Sequence, residues 1–408
     1  MKNLNLPFDH NKAKAIAAEF QTPLYIYDEQ GIRETARNLK AAFKGLHGYT
    51  NFFAVKATPT PAILKILLDE GMGLDCSSAA ELELAKRLGV PGDKIFYTSN
   101  NTPKEDFERA IALGAIVNID DLTQVPVFIE ALGGKSYPHA AVRYNPGKLK
   151  TGNSLIGKPT EAKYGMTLHQ LPEAFTLLKN ADIKKLGLHT MVASNELKAD
   201  YFGETANVLV HAKQKVEAEC GIKIAFLNLG GGFGLNYQPH QSSLDLHATA
   251  QSVSQALTGV TDTPIYTENG RYVTGPHGFL LTRVRYVMSK YKMHVGVDAS
   301  MHNLMRPGMY EAYHHVTVLG RNGDHTHTYD IVGSLCENND KFAIDRELPG
   351  VKTGDLIVIH DVGAHGHAMG FNYNGLQRSA EVLLKTDGSL ELIRRAETLD
   401  DYFAPVVW

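Results

Sequence analysis

The sequence predicts an α/β fold in which a (β/α)8 barrel is followed by a mainly β domain. The chain has 408 residues, more than the ~250–300 residues that one hydrophobic core usually serves, so two domains are expected. Short apolar runs alternate with amphipathic stretches from residue 50 to about 270, and closely spaced strand-like runs follow residue 280. We therefore place the barrel at 29–280 and the β domain at 1–28 plus 281–408.

Eight apolar, β-branched runs indicate the strands of the barrel. Alternation of strands and helices implies parallel strands joined by helical crossovers, and eight such units fit a closed barrel. An open, doubly wound sheet has the same alternation and remains an alternative at this stage. The runs are Asn51–Ala57, Gly73–Ser77, Ile95–Ser99, Ile116–Asp120, Ala140–Asn145, Lys185–Met191, Ala225–Gly231 and Pro264–Gly270.

Amphipathic stretches between these runs indicate the crossover helices. PAILKILLDE follows the first run, and AAELELAKRLG follows the second. The second stretch begins after Ser77 and Ser78, whose hydroxyls suit a helix N-cap, and it ends near Gly89, a residue type common at helix C-termini.

The region after residue 280 consists of short strand-like runs separated by turn residues. The sequence TDGS between two alternating runs predicts a β-hairpin. An early run, PLYIYD at Pro23–Asp28, precedes the first strand–helix unit and is assigned to the same β domain. The later runs are FLLTRVRYVMSKY, MHVGVDAS, HHVTVLG, HTYDIVGS, DLIVIHD and SAEVLLKTDGSLELIRR.

Composition and charge exclude several classes of protein. Hydrophobic residues make up 43% of the chain and charged residues 21%, which is typical of a globular protein. The net charge is −3, and no Lys/Arg run indicates a nucleic-acid or membrane partner. Cys76, Cys220 and Cys336 are odd in number and widely spaced, which predicts a reducing compartment. With no apolar signal segment and no stretch of ~18 apolar residues, we expect a cytoplasmic protein.

Polar residues close the barrel runs at the ends where barrels place their active sites. Lys56 ends the apolar run NFFAVKA, where partial desolvation would favour the neutral amine that forms a Schiff base. The alternative is a lysine whose charged end reaches water from the strand end. The other polar or glycine residues at these ends are Asp75, Ser99, Asn100, Asp120, Arg143, Asn145, His189, Gly230 to Gly232 and Glu268 to Arg271.

The last two barrel runs end in segments suited to an anionic ligand. LNLGGGFG, at 227–234, holds consecutive glycines, which let a phosphate approach the backbone N–H groups or simply form a tight turn. TENGR, at 267–271, ends in an acid and a base. Glu268 would suit a protonated heterocyclic nitrogen and Arg271 a phosphate or carboxylate, whereas the alternative is a surface ion pair.

Two segments of the β region carry charged or reactive side chains. DASMHNLMRPGMYEAYHH, at 298–315, places Arg306 and Tyr310 at the helical spacing i, i+4, where both face one anionic group or lie on a solvated face. VGSLCENNDKFAIDRELP, at 332–349, places Cys336 beside Glu337. This thiol is either a buried structural cysteine or a proton donor.

HDVGAHGHAMGFNYNG, at 360–375, intersperses histidines and a tyrosine with glycines. His365 and His367 suggest either metal ligands or a loop of an active site. Their spacing does not match a zinc motif, and we predict no metal centre.

Taken in order, these segments resemble the fold-type III decarboxylases that use pyridoxal 5′-phosphate (PLP), the ornithine, diaminopimelate and arginine decarboxylase group. The resemblance implies an alanine-racemase-like PLP barrel, a β domain that completes the active site, a small amino acid as substrate, and a homodimer with shared active sites. The segments are FFAVKAT, GLDCSSAAELELA, RYNP, KYGM, NLGGGFG, ENGR, DASMHNLMRPGMYEAYHH, VGSLCENNDKFAIDRELP and GFNYNG.

The same resemblance implies a role for each matching position. Lys56 would carry PLP, Glu268 would face its pyridine nitrogen, and Cys336 would return a proton to the substrate. The cofactor would also contact Asp75, His189, Ser194, Gly231, Gly232, Gly270, Arg271 and Tyr373. The substrate would contact Arg271, Arg306, Tyr310, Glu337 and Tyr373.

This chain departs from the family pattern in three places. Met191-Val192-Ala193-Ser194 stands where the family has His-Ile-Gly-Ser, so either Met191 or His189 takes the place of the ring-stacking histidine. Glu-Pro-Gly-Arg reads ENGR at 268–271, with both functional ends kept. Gly-Ala-Tyr-Gly reads GAHG at 363–366, and Leu376-Gln377 replaces a Ser-Arg pair.

Two other functions are compatible with the same barrel. A non-catalytic homologue that binds a regulatory partner would be expected to lose Lys56 or Cys336, and both are present. A racemase would form a D-amino acid without releasing CO2.

Overall fold

The structure is a computed structural model that describes residues 4–152, 157–260, 262–321 and 326–408. The chain divides into two compact units. The barrel unit comprises Arg33–Leu235 and Ser243–Tyr272, and the β unit comprises Met1–Ile32, Asn236–Ser242 and Val273–Trp408. The boundaries at residues 28/29 and 280/281 remain a prediction, and residues 1–3 lie outside the described part.

Strands and helices of the described residues are numbered in chain order. The strands are β1 (Leu24–Asp28), β2 (Thr50–Ala54), β3 (Gly73–Cys76), β4 (Ile95–Thr98), β5 (Ile116–Ile119), β6 (Tyr137–Arg143), β7 (Ile183–His189), β8 (Ile224–Asn228), β9 (Ile265–Thr267), β10 (Gly278–Ser289), β11 (Met293–Val297), β12 (Val316–Val318), β13 (Thr326–Val332), β14 (Lys341–Pro349), β15 (Leu356–Ile359), β16 (Ala380–Leu384) and β17 (Leu390–Arg394). The helices are α1 (His10–Phe20), α2 (Glu29–Ala42), α3 (Pro61–Asp69), α4 (Ala79–Arg87), α5 (Lys104–Ala112), α6 (Gln124–Leu132), α7 (Leu171–Asn180), α8 (Ala199–Cys220), α9 (Leu246–Ala256), α10 (Arg271–Thr274), α11 (Arg306–Tyr310) and α12 (Leu399–Phe403).

The barrel unit is a closed barrel in which β2 to β9 follow one another in sequence order, each parallel to its neighbours. This confirms the eight predicted strands and decides against the open sheet. Several strands end earlier than the apolar runs predicted. β2 stops at Ala54 and a 3-10 turn takes over at Val55–Ala57, while β8 stops at Asn228, before the glycine segment.

Large aromatic side chains fill the inside of the barrel. Phe52, Phe96 and Phe226 are buried together there. Gly187 on β7 makes room for one of them, because a Cβ at this position would lie 2.0 Å from the ring of Phe226. The barrel is therefore a packed core, and its open end is where the strand-end residues gather.

The predicted boundaries of α4 are confirmed within the precision of helix ends. Ser78 is the N-cap, and its hydroxyl accepts the Glu81 N–H over 3.3 Å. At the other end Gly89 has a φ of +67°, a conformation that favours glycine. This helix fixes the chain directly after β3, the strand that carries the predicted site residue Asp75.

The β unit contains a nine-stranded sheet whose main path runs β14-β13-β11-β10-β1-β16-β17. β1 pairs in parallel with β16 and antiparallel with β10, which confirms the assignment of PLYIYD to this domain. β16 and β17 form the hairpin that TDGS predicted. β14 was not predicted as a strand, because its charged edge sequence KFAIDRELP lacks a regular alternation.

One face of this sheet packs against α1 through Ile16, Ile26 and Val358, which are fully buried. In the described ranges no helix has both the length and the hydrophobicity to cross a membrane.

Candidate active site

Glu268, the residue after β9, is a buried carboxylate with two hydrogen-bond donors. His189 at the end of β7 donates from Nε2 to Oε2 over 3.2 Å, and Asn228 at the end of β8 donates from Nδ2 to Oε1 over 2.7 Å. Burial acts to raise the pKa of Glu268, but His189, Lys56 and Arg143 together outweigh it. The pKa of Glu268 therefore lies below its ordinary value, and the group stays ionised at neutral pH.

Asp75 on β3 is a second buried acid, and its pKa is shifted in the opposite direction from that of Glu268. Its Oδ1 has no hydrogen-bond partner among the described residues. Burial, followed by repulsion from Glu268, holds the pKa of Asp75 well above its ordinary value, although Lys56 and Arg143 oppose this. Two acids with opposite shifts are typical of a site that handles protons.

Lys56 lies on the 3-10 turn after β2 and is exposed in this chain. The prediction that the strand partly desolvates this lysine is wrong, because β2 ends two residues earlier, at Ala54. Its charge nevertheless acts on Asp75 and Glu268. Because its side chain is exposed, the Lys56 amine is accessible to a carbonyl ligand.

The glycine segment after β8 packs tightly against neighbouring backbone. A Cβ on Gly230 would lie 2.4 Å from the Thr190 carbonyl oxygen, and one on Gly231 would lie 2.4 Å from the Glu268 carbonyl oxygen. Gly230 and Gly232 also have φ values of +67° and +102°. Glycine is therefore required here by close packing and backbone conformation.

The predicted phosphate-binding residues are brought together only in part. Arg271, the first residue of α10, donates to the Ser194 hydroxyl over 3.4 Å. Gly270 packs against the Lys56 turn, since a Cβ there would lie 2.8 Å from Cβ of Ala57. The Gly231 N–H already has a partner, the Sδ of Met191 at 3.2 Å. A thioether is a weak acceptor, so a phosphate oxygen would replace it favourably.

Met191 and His189, the two candidates for contact with a cofactor ring, occupy different surroundings. Met191 is half-buried and bonded through sulfur to the glycine segment. His189 is buried, and its Nδ1 has no partner within the described ranges. Because a carboxylate only accepts hydrogen bonds, His189 carries a proton on Nε2, toward Glu268. Which of the two contacts the ring remains a prediction.

A cleft opens beside these residues at the ends of β6 and β7. Its charged wall is Arg143, which is buried and paired with Asp120 at 3.1 Å. The Arg143 guanidinium also lies 4.1 Å from the centre of the Tyr164 ring. Met191 lines the same cleft, and its sulfur accepts the Gly231 N–H, so the cleft borders the residue that contacts the glycine segment.

The loop between β13 and β14 in the β unit presents Cys336 and Glu337 to solvent. Its shape is held by Asp340, whose carboxylate accepts the N–H groups of Leu335 and Met301 over 2.8 and 2.6 Å. Cys336 is therefore exposed, which removes the alternative of a buried structural thiol.

Tyr373 lies beside this loop and is 46% exposed. The Cys336 N–H donates to Oδ1 of Asn374 over 2.9 Å. A hydrogen bond with Glu337 raises the pKa of the Tyr373 hydroxyl. The structure thus brings together three predicted site residues, Cys336, Glu337 and Tyr373, on one surface of the β unit.

Arg306 and Tyr310 lie at the two ends of α11, a helix of five residues, so their predicted helical spacing is confirmed. The helix stops at Glu311, whose φ is +54°. Arg306 is buried, with its guanidinium 5.3 Å from the centre of the Tyr237 ring, whereas Tyr310 is 47% exposed. Their joint contact with one anionic group remains a prediction.

His367 is a structural residue of the β unit. It is buried, its Nε2 meets the Ser379 carbonyl oxygen at 3.0 Å, and its Nδ1 meets Arg378 at 3.0 Å. Over the described ranges, no cluster of three or more His, Cys, Asp or Glu side chains suits a metal ion.

Sequence reasoning missed two asparagines that hold the barrel site together. Asn228 joins the glycine segment to Glu268, because its Oδ1 accepts the Gly230 N–H over 2.9 Å. Asn51 on β2 binds the backbone of Asn269 in both directions, at 2.8 and 3.1 Å. The one indication in the sequence was a single asparagine in an otherwise apolar strand, because a buried amide side chain is expected to have hydrogen-bond partners.

These residues fit PLP as a ligand. The ionised Glu268 suits a protonated ring nitrogen, the exposed Lys56 amine suits an aldehyde, and the pair of Arg271 and Ser194 supplies donors for a phosphate. The unsatisfied Nδ1 of His189 provides a further polar contact.

Sequence comparisons agree with this fit. A sequence model described as pyridoxal-dependent decarboxylase, pyridoxal binding domain, matches residues 29–275. The chain is 42% identical over 395 residues to Protein TabA of Pseudomonas amygdali pv. tabaci, which covers 95% of this chain and 92% of that protein. It is 32% identical over 399 residues to the diaminopimelate decarboxylase of Methanothermobacter thermautotrophicus, with coverage of 95% and 92%.

Solved structures show the same similarity across both units. The diaminopimelate decarboxylase of M. jannaschii matches with a TM-score of 0.89 at 29% identity, over 97% of this chain and 94% of that chain. The diaminopimelate decarboxylase of Helicobacter pylori complexed with L-lysine matches with a TM-score of 0.89 at 28% identity, over 96% of this chain and 98% of that chain.

Proposed function

The chain belongs to the pyridoxal-dependent decarboxylase family, and from that premise we propose that it converts meso-2,6-diaminopimelate to L-lysine and CO2. As a member of this family it is a carboxy-lyase that uses PLP. Relatives named diaminopimelate decarboxylase match over 95% or more of the chain, which supports this substrate and a place in lysine biosynthesis.

One observation carries the proposal: groups of opposite charge lie on adjoining segments of the β unit. Arg306 begins α11, and Glu337 lies on the loop after β13. The two segments are joined by the Asn339 side chain, which donates from Nδ2 to the Gly308 carbonyl over 3.3 Å. Diaminopimelate carries both an ammonium and a carboxylate at its distal end, so it complements such a pair.

Charge explains how this pocket would discriminate between amino acids. Ornithine and lysine end in an ammonium alone, which Arg306 would repel. Each hydrogen bond to a charged group contributes roughly 1.5–3 kcal/mol, so a substrate without the distal carboxylate would react on the order of 10²-fold more slowly. Arg271 and Tyr310 complete the proposed contacts to that carboxylate, and Tyr373 closes over the ligand.

The barrel residues would perform the cofactor side of the reaction. PLP, when bound, accepts the electron pair left at Cα as CO2 departs. Lys56 would hold the cofactor covalently and release it to substrate. Glu268 would keep the ring nitrogen protonated through its negative charge. Asp75, His189, Ser194, Gly231, Gly232, Gly270 and Arg271 would line the cofactor site.

Cys336 would return the proton to Cα, since a thiol held at one face gives a defined stereochemistry. We further propose a homodimer in which the Cys336 loop of one copy serves the Lys56 site of the other. The exposure of Cys336, Glu337 and Tyr373 in the single chain supports this.

The test is CO2 release from meso-diaminopimelate, ornithine, lysine and arginine by purified protein with added PLP. We expect release from diaminopimelate, with lysine as product, and rates at least ~10²-fold lower for the other three. Preference for one of the other three would contradict the pocket assigned to Arg306 and Glu337.

A second candidate is decarboxylation of another carboxylate-bearing or D-configured diamino acid. It is favoured by the 42% identity to a relative whose name states no substrate, against 32% for the M. thermautotrophicus diaminopimelate decarboxylase. Adding LL- and DD-diaminopimelate and shorter diamino dicarboxylates to the panel separates the two candidates.

A further inference from the structure

Asn269, in the segment ENGR that follows β9, is buried and makes hydrogen bonds through both its backbone and its side chain. Its N–H donates to Oδ1 of Asn51 over 2.8 Å, and its carbonyl oxygen accepts from Nδ2 of Asn51 over 3.1 Å. Its own Oδ1 accepts the N–H of Phe233 over 3.1 Å. Asn269 therefore connects β2 to the glycine segment, of which Phe233 is a part.

Asn51 is a firm support for Asn269, because its amide has further partners. Its Oδ1 also accepts the Thr267 hydroxyl over 2.9 Å, and that hydroxyl lies 2.9 Å from the Tyr49 hydroxyl. Tyr49 stacks on the buried Phe43, with ring centroids 4.8 Å apart. The Asn269 side chain therefore extends from a buried, hydrogen-bonded base.

The glycine segment is held on its other side by backbone bonds to Glu196. The Glu196 N–H donates to the Gly232 carbonyl oxygen over 2.8 Å, and the Gly234 N–H donates to the Glu196 carbonyl oxygen over 2.9 Å. Phe233, between these two glycines, donates its N–H to Asn269 instead. The segment is thus fixed from both sides, and so are the N–H groups that would face a phosphate.

Stability alone does not explain an asparagine at position 269. Its Nδ2 is buried and has no hydrogen-bond partner among the described residues, and a buried donor in this state destabilises a fold. Proline, which stands at this place in the family pattern, would lack this donor. Proline would also lack the N–H that bonds Asn51 and the amide oxygen that bonds Phe233. This chain therefore has a link between β2 and the glycine segment that proline could not form.

We propose that Asn269 is a positioning residue for the cofactor, which holds the N–H groups of the glycine segment in place for the PLP phosphate. This inference rests on the proposed function, in which that phosphate lies at the glycine segment and Arg271. Donors that are already held in one geometry bind a ligand more tightly than donors that binding must first order. The Gly231 N–H faces a weak acceptor, the sulfur of Met191 at 3.2 Å, which a phosphate oxygen can replace.

The test compares PLP with pyridoxal, which lacks the phosphate, as ligands of the full chain freed of cofactor. Both ligands would be titrated in the absence of substrate and their binding followed by absorbance. We expect Asn269→Ala to bind PLP about 10-fold more weakly than wild type does, whereas its affinity for pyridoxal should change by less than about 2-fold. Asn180→Ala, which changes an exposed asparagine of α7, should bind both ligands as wild type does. Equal weakening of both ligands, as for a merely structural residue, or unchanged PLP affinity would overturn the proposal.

Amide hydrogen exchange measures the link itself, and it keeps the proposal testable if Asn269→Ala folds poorly. In wild type without ligand, the Phe233 N–H should exchange at least ~10²-fold more slowly than in an unstructured peptide, because its acceptor is fixed. In Asn269→Ala the same N–H should exchange at least ~10-fold faster than in wild type. Unprotected exchange of this N–H in wild type, or an unchanged rate in Asn269→Ala, would overturn the proposal.

Arg271→Ala separates a failure of this inference from a failure of the proposed function. If Arg271→Ala weakens binding of PLP but not of pyridoxal, while Asn269→Ala binds both normally, the phosphate is where we propose and the role of Asn269 falls. If neither variant discriminates between the two ligands, the proposed position of the phosphate falls as well. The choice of amino acid does not affect either result, since no substrate is present.

Discussion

The candidate residues of the barrel unit and those of the β unit differ in how they are held. At the barrel mouth Glu268, Asp75 and His189 are buried, and Glu268 is fixed by two donors. On the β unit Cys336 and Glu337 are exposed on a loop. The barrel unit therefore has a preorganised set of charges within one chain, whereas the β unit presents its reactive groups outward.

This difference suggests that the two units have different roles in the reaction. Buried, mutually bonded charges are suited to fixing the electronic state of a cofactor, because their pKa values are set by the fold. Exposed groups acquire such surroundings only when something covers them. Arg306 is the exception in the β unit, since it is already buried, and it would provide a fixed positive charge for the substrate.

The largest effect on turnover is expected from a substitution in the barrel unit. Lys56→Ala should lower turnover by about 10³-fold or more, because the amine that holds PLP is removed. The protein should also lose PLP on dialysis, measured by absorbance. Lys65→Ala, an exposed lysine on α3, is the control and should behave as wild type. Retention of covalent PLP in Lys56→Ala would assign the cofactor to another lysine.

Cys336→Ala should have the next largest effect, and it should lower turnover without releasing the cofactor. We expect PLP to stay bound while turnover falls by at least ~10²-fold, as for loss of a general acid. Cys220→Ala, which changes a half-buried thiol of the barrel unit, should retain full turnover. Near-normal turnover in Cys336→Ala would remove this thiol from the mechanism.

Mixing the two inactive variants tests whether the Lys56 and the Cys336 of one active site come from different copies of the chain. In a random exchange of Lys56→Ala and Cys336→Ala chains, half the dimers carry both, and each of these has one intact site, so about a quarter of wild-type activity should return. Assays before and after joint incubation measure the recovery. No recovery despite subunit exchange would argue that each site is built from one chain.

A smaller effect is expected for a buried charge of the β unit. Glu381 accepts a hydrogen bond from Tyr27 over 2.7 Å, and although burial acts to raise the pKa of Glu381, His367, Arg394 and Tyr27 together lower it. Glu381→Gln should destabilise the fold by about 3 kcal/mol at pH 7. The loss should shrink as pH falls through the lowered pKa, because wild type then loses the same charge.

Urea unfolding at several pH values measures this difference. Glu391→Gln, on an exposed residue of β17, should change stability by less than about 0.5 kcal/mol. A pH-independent effect of Glu381→Gln would mean that shape rather than charge is responsible.

The smallest effect should have the opposite sign. The pKa of Asp75 is raised by burial and by Glu268, so wild type loses stability as pH rises through the range where this acid ionises. Without PLP, Asp75→Asn should be more stable than wild type by about 1 kcal/mol at pH 8, with the difference vanishing near pH 4. Asp93→Asn, at an exposed position, is the control. Lower stability of Asp75→Asn at pH 8 would show that Asp75 is ionised and paired.

The barrel was readily predictable from the sequence because its strands are local signals. Runs such as Ile116–Asp120 are apolar and β-branched, as expected for strands buried on both faces. Strand ends were less predictable, since the turn at Val55–Ala57 has the same apolar composition as β2. Because the end of β2 was predicted two residues too late, the prediction that Lys56 is partly desolvated was wrong.

For the candidate site, the sequence allowed individual residues to be named but not the hydrogen bonds between them. Glu268 and His189 were named from strand ends, yet their hydrogen bond joins positions 79 residues apart, and no local pattern encodes such a contact. Asn228 was missed for the same reason. The strand β14 was missed because edge strands tolerate charged residues that break the alternation.

The glycine segment sets a limit on how far this chain can be diversified. A randomised library over 227–234 would retain glycine at 230 and 231, where any Cβ would lie 2.4 Å from a carbonyl oxygen, and at 232, where the corresponding distance is 2.7 Å and φ is +102°. The Met191 side chain, in contrast, meets the segment through its sulfur and also lines the cleft at the ends of β6 and β7. Efforts to alter the selectivity of this enzyme should therefore begin at Met191 and leave the three glycines unchanged.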